Sequence, residues 1–142
     1  MYKKNKKILN KLFSDNKVIL NDLYDIKQNF RDLLDIKSTL IYKDCDKLEV
    51  KIQSKINHFS LINLKNSKFE IKNILTGIDF RKSFRIFIKI SDGILSNIKL
   101  KNSSYITIQL STTNYNKSII DIDNCKHIKF IDLNNIIIDQ FK

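Results

Sequence analysis

Leu40-Ile-Tyr42-Lys-Asp44-Cys45, Ile62-Asn-Leu64-Lys-Asn66-Ser67, Ile78-Asp-Phe80-Arg-Lys82-Ser83, Ile98-Lys-Leu100-Lys-Asn102-Ser103 and Ile120-Asp-Ile122-Asp-Asn124-Cys125 are five copies of one phrase. Each reads apolar, any, apolar, any, a polar residue, then Cys or Ser. The Cys/Ser positions are separated by 22, 16, 20 and 22 residues, a mean of 20. A second alternating run follows each copy: Leu48-Val50-Ile52, Phe69-Ile71, Ile86-Ile88-Ile90, Ile106-Ile108-Leu110 and Ile128-Phe130. A period of two places alternate side chains on one face of a strand. The polar residue before Cys or Ser turns the chain, because Asn and Asp tolerate left-handed backbone angles. Cys and Ser are small enough for the inside of a tight corner.

One copy cannot bury its apolar face alone, whereas stacked copies share a continuous core. The pattern therefore predicts an all-β chain, a right-handed parallel β-helix of five to six coils. Leucine-rich repeats fit less well, because their Asn falls three residues after the last strand Leu. Here Asn102 follows Leu100 by two. An antiparallel sandwich needs turn dipeptides such as Asn-Gly, and the chain has two glycines and no proline.

The segment before the coils reads differently. Val18-Ile19-Leu20 is a candidate first strand. Leu23, Ile26, Phe30, Leu33 and Leu34 then fall at helical spacing. The spacing predicts an amphipathic helix over 21–36, N-capped by Asn21 or Asp22 and covering an end or side of the solenoid. The 142 residues suit a single domain. Within it, 1–38 forms a basic arm, strand and helix, and 39–142 forms the coils. Five lysines in residues 1–12 read as a solvated terminus, with an electrostatic arm as the alternative.

No run of 18 apolar residues exists to span a membrane, and no signal-peptide block stands at the start, so a cytoplasmic location is expected. Cys45 and Cys125, four coils apart in one corner, would lie about 19 Å from each other. A disulfide needs a Cα separation under about 7 Å, so both are expected as free thiols. The formal charge of +11 favours acidic partners, although a chain this rich in Lys, Asn and Ile also carries the mark of AT-biased coding.

Catalytic constellations are missing from the pattern. Cys125 and His127 share a strand face, but zinc asks for three or four ligands. Gly77 and Gly93 form no phosphate loop. Neither a metal, a cofactor nor an enzymatic activity is expected. Binding is, through the outward residues of each coil's second strand: Lys51, Lys72, Arg85, Phe87, Lys89, Thr107, Gln109 and Lys129, with Glu49 and Glu70 interspersed. Phe87 stands out as an aromatic in a charged face, unless the N-terminal helix covers it. Between strands, the connections are polar, including Ser111 to Asn116, and Gly93 can supply a positive φ.

The phrase Asn124-Cys125-Lys126 after an alternating strand resembles the repeat in the C-terminal β-helix (CARP, C-CAP) domain of the cyclase-associated protein family. Ile41-Tyr42-Lys43 before Cys45, Lys55-Ile56-Asn57 after Val50-Lys-Ile52, and the final Gln140-Phe141-Lys142 are similar to that domain in the same order. Ile8-Leu9-Asn10 and Val18 to Asp22 look like its opening strands. What the resemblance implies is a non-enzymatic cytoskeletal regulator that binds monomeric actin, favours the ADP form and promotes nucleotide exchange. The family's homodimer uses a swapped C-terminal hairpin, which is expected to be missing here. Two alternatives are a tubulin-cofactor-C-like β-helix, whose Gln-x-Arg finger has no counterpart in this chain, and a basic module for nucleic acid or anionic surfaces.

Overall fold

The computed structural model describes residues 17–31, 39–92 and 95–142. They form a parallel β-solenoid of about five turns with minimal helix content. The elements are β1 (Lys17–Asn21), β2 (Tyr24–Phe30), β3 (Thr39–Arg81), β4 (Phe84–Ile90), β5 (Asn97–Lys101), β6 (Ser104–Gln109), α1 (Thr112–Lys117), β7 (Ile119–Asp123), β8 (Lys126–Ile131) and β9 (Ile137–Phe141). β3 is a 43-residue extended run that bends at its corners rather than a straight strand.

The corners have one geometry. Thirteen non-glycine residues among those described hold a positive φ, and twelve of them form six pairs three residues apart. The pairs are Asp22/Asp25, Asp44/Lys47, Asn63/Asn66, Lys82/Arg85, Asn102/Tyr105 and Asn124/His127, with φ between 51° and 59°. Two left-handed residues per corner swing the chain from the first strand of a coil into its second.

Alternate residues then stack in files. Val18 pairs with Leu40 and Leu20 with Tyr42. Phe80, Leu100 and Ile122 continue the second of these files. On the other strand Ile86, Ile106 and Ile128 stack, as do Ile88, Ile108 and Phe130. Most of these residues are fully buried. Tyr42, Phe59 and Phe69 meet edge to face with centroids 5.3–5.9 Å apart, the widest aromatic cluster of the core.

The corner's small residue has a second task beyond fitting. Its hydroxyl or thiol donates to the carbonyl two residues back: Cys45 to Lys43 O, Ser83 to Arg81 O, Ser103 to Lys101 O and Cys125 to Asp123 O. Ser83 Oγ also accepts from Leu64 N at 3.3 Å, and Ser103 Oγ from Ser83 N at 3.1 Å. These backbone donors sit where the ladder is interrupted, and a buried unpaired N–H costs about 1–3 kcal/mol. Cys45 and Cys125 are free thiols.

The second copy of the phrase is out of phase. Its corner is Asn63-Leu64, not Asn66-Ser67. Asn63 Nδ2 donates to Asp44 Oδ1 across 19 positions, and Leu64 N bonds Ser83 Oγ, also 19 away. The coil's first strand buries Phe59 and Leu61, and Ile62 faces outward, half-buried. Ser67 lies instead in the file of Ile86, on the second strand, and its Oγ accepts from Leu48 N. Two asparagines three apart each take a left-handed angle, so the local pattern fits either phase. With the corner at Leu64, the uneven 16-residue interval disappears.

The helix expected over 21–36 does not form. Tyr24–Phe30 is β2, paired in parallel with Asp46 to Ile52, while residues 32–38 lie outside the described set. The inward side chains are Ile26, Gln28 and Phe30. Gln28 is 4% exposed and its Oε1 accepts the Tyr42 hydroxyl at 2.6 Å. A polar residue at an inward site broke the visible alternation, and a full parallel ladder outweighs helix propensity. The lysine arm of residues 1–12 and Gly93 are also outside the described residues.

The last coil departs from the others on its third side. Ser111 to Asn116, expected as a plain connection, enters the six-residue helix α1. Ser111 caps it, its Oγ accepting from Asn114 N at 3.0 Å. Tyr115 anchors it by donating to Asp139 of β9 at 2.6 Å, and burial together with that carboxylate pushes the phenol up to about 12. β9 runs antiparallel to β8, and the two form a hairpin within the chain. Asp132 Oδ1 accepts from Asn134 N and Ile136 N to make the turn.

Candidate functional site

Two outward files run down the sheet made by the second strands. One pairs Lys27 with Glu49 and, further along, stacks Lys68, Phe87, Thr107, Lys129 and Gln140. The other pairs Asn29 with Lys51 and stacks Glu70, Lys89, Gln109 and Ile131. Side chains one coil apart are cross-strand neighbours, so opposite charges there attract. Lys27 Nζ lies 3.6 Å from Glu49 Oε2. This exposed pair contributes little. The face is thus a checkerboard of signs, with excess positive charge, rather than a uniform basic ladder.

The eight residues expected to carry binding are only partly gathered. Phe87, Thr107 and Lys129 share one file; Lys51 and Lys89 lie on the other. Phe87 is half-buried, with Lys68 Nζ 5.8 Å from its ring centre. Lys72 is exposed in the chain that leaves the second strand. Gln109 does not face a partner. It is 5% exposed, and its Nε2 donates to Asp132 O and Asn135 Oδ1 under the β8–β9 turn. Arg85 lies in β4, but as the second left-handed residue of its corner it is passed over by the ladder register and joins neither outward file.

Around Arg85 the structure assembles side chains that the alternation of the strands did not single out. Arg85 lies over the Phe84 ring at 5.1 Å. Phe84 meets Tyr105 edge to face at 5.4 Å, and Tyr105 stacks on His127 at 4.5 Å with 18° between planes. Phe84 is 37% and Tyr105 49% exposed. Next to them Tyr105, Thr107, His127, Lys129 and Gln140 line a hollow of ≈ 250 Å³. Arg85, Tyr105 and His127 each hold a positive φ, a conformation that costs a side chain with an ordinary Cβ about 1–2 kcal/mol. The signal was in the sequence: each is three residues after the Asn or Lys that opens its corner.

The opposite sheet carries a second polar cluster. Asp79 pairs with Lys99 and Lys99 with Asp121; Arg81 pairs with Lys101 and Lys101 with Asp123. These line a groove of ≈ 430 Å³. Asp79 is half-buried, and its Oδ1 lies 3.7 Å from His58 Nε2, a charge contact too long for a hydrogen bond. Oδ1 has no hydrogen-bond donor. Burial pushes the Asp79 carboxyl up, but His58, the Ser60 hydroxyl and Arg81 together hold it below its ordinary value. A depressed folded-state value stabilises the fold above the unfolded-state value near 3.9. That contribution drains away as pH falls through the folded value. Asp79→Asn is therefore expected to flatten the acid limb of a plot of urea midpoint against pH. A variant whose acid limb matches the parent's would refute this.

Among the described residues no group of three or more His, Cys, Asp or Glu is placed to hold a metal. No helix there is long and apolar enough to cross a membrane.

Comparison with known proteins gives a likeness of fold. The crystal structure of cyclase-associated protein from Cryptosporidium parvum superposes with a TM-score of 0.77, covering 90% of this chain and 77% of that one at 12% identity. No protein-family profile matches the chain, and no curated protein matches it by sequence.

Proposed function

We propose that this protein binds monomeric actin and promotes nucleotide exchange on it, without chemistry of its own. The observation that carries the reading is the likeness of fold to a cyclase-associated protein over nine-tenths of the chain. It joins the Asn124-Cys125-Lys126 type of corner and the ordered phrases around it. The contact surface is the second-strand sheet with Lys51, Lys72, Phe87, Lys89, Thr107 and Lys129, and the adjoining corner where Arg85 stands over an exposed ring. Aromatic and Arg side chains are the usual anchors of protein interfaces. The checkerboard of charge speaks against a nucleic-acid groove, which asks for a continuous cationic track. The test titrates the full chain into fluorescently labelled ADP-actin monomers and follows release of a fluorescent nucleotide. Saturable binding and faster release are expected. An unchanged release rate and no binding at large excess would sink the reading.

A further inference from the structure

We infer that the C-terminal half of the corner ridge, built by Arg85, Tyr105, His127 and Lys129, binds a carboxylate-rich, extended segment of a protein partner. The inference deepens the reading above by naming which part of the surface anchors the partner and the chemistry it reads.

Three observations carry it. First, the first-opened corners hold Asp22, Asp25, Asp44 and Lys47, a net negative charge, whereas the later ones hold Lys82 and Arg85 and no carboxylate. The ridge is therefore electrically polar along its length, and its far half is cationic. Second, the hollow between Tyr105, His127 and Lys129 is lined by no carboxylate among the described residues. It offers a Tyr hydroxyl, an imidazole, an ammonium and the Gln140 amide. Tyr105 and His127 give one face each to their stack, and their ring edges remain to meet a ligand. Ring edges carry the positive part of the quadrupole. Donors, cations and positive edges call for an anion. Third, Arg85, Tyr105 and His127 occupy left-handed positions that Asn66 fills at lower strain in a neighbouring coil. Lys47 takes the same angle in an early corner, but in the later corners the strained positions join a run of ring contacts at the surface, Arg85 on Phe84 and Tyr105 on His127, which motivates a functional reading.

The experiment uses the full chain with Arg85→Asn and Tyr105→Asn combined. Asn suits a positive φ, so the fold is retained. Lys129→Gln on β8 is an independent variant, and Lys99→Gln on the opposite sheet is the control. Binding is read for a labelled short poly-glutamate peptide, a single-stranded oligonucleotide at equal salt, and actin monomers. Expected is binding of the peptide and of actin that weakens about tenfold or more in the ridge variants and not in the control, with a thermal midpoint of the double-Asn variant equal to or above the parent's. A parent that binds the peptide through the ridge but ignores actin leaves this inference standing and removes the actin reading. Actin binding that is unchanged in the ridge variants, no binding of peptide or actin, or tighter ridge-dependent binding of the oligonucleotide overturns it.

Discussion

Phe69→Ala is expected to lower the free energy of unfolding by about 3–5 kcal/mol. Phe69 is fully buried and meets Tyr42 and Phe59, each at 5.3 Å and edge to face. Its truncation removes transfer energy and both ring contacts. The space cannot close, because the surrounding backbone is fixed by ladders on the coils above and below. Equilibrium urea denaturation of the parent and variant measures the difference. A loss below about 1 kcal/mol would mean that the core re-packs, contrary to the rigid stacking described above. Phe69→Leu keeps most of the volume and should recover a large part of the loss.

The second large effect reverses a usual sign. Replacing Gly by Ala where Ala's backbone angles are allowed commonly stabilises by about 0.4–1 kcal/mol, through the unfolded chain. Gly77→Ala is expected to destabilise instead, by roughly 1–3 kcal/mol. A Cβ at Gly77 would stand 2.7 Å from Asn97 O and 3.1 Å from Asn97 Cβ. Asn97 pairs with Gly77 in one coil and with Ile119 in the next, so its carbonyl cannot retreat without disturbing two windings. Thermal or chemical denaturation gives the sign, and a more stable Ala variant would contradict the close approach.

Much of the architecture was legible in the sequence. Strict alternation at Ile86, Ile88 and Ile90 or Ile106, Ile108 and Leu110 leaves one reading, and every one of these is buried. Corner chemistry was legible too, because Asn, Asp and small residues report a backbone requirement that few others meet. The failures share a cause. At Asn63 and Asn66 the same residue type serves both turns of one corner, so local chemistry cannot choose the phase, and only the ladders to Asp44 and Ser83 do. Over 21–36, Gln28 occupies an inward site because Tyr42, fourteen residues away, supplies its partner. That pairing is a tertiary fact. Tyr105 and His127, beside the expected Arg85 and Lys129, were left out of the binding set for another reason. Arg85, Tyr105 and His127 break turn preference rather than follow it, and a reading built on preference looks past its own exceptions.

The hand-over of hydrogen bonds from each small corner residue to the coil beside it has a consequence for how such a protein changes in size. Each winding touches only its neighbours, so nothing in the cross-section records how many windings there are. Duplicating about twenty residues between two equivalent corners would lengthen the rod by about 4.8 Å and leave the remaining contacts as they were. Length in this architecture is an additive quantity, open to change by unequal recombination, whereas the girth is fixed.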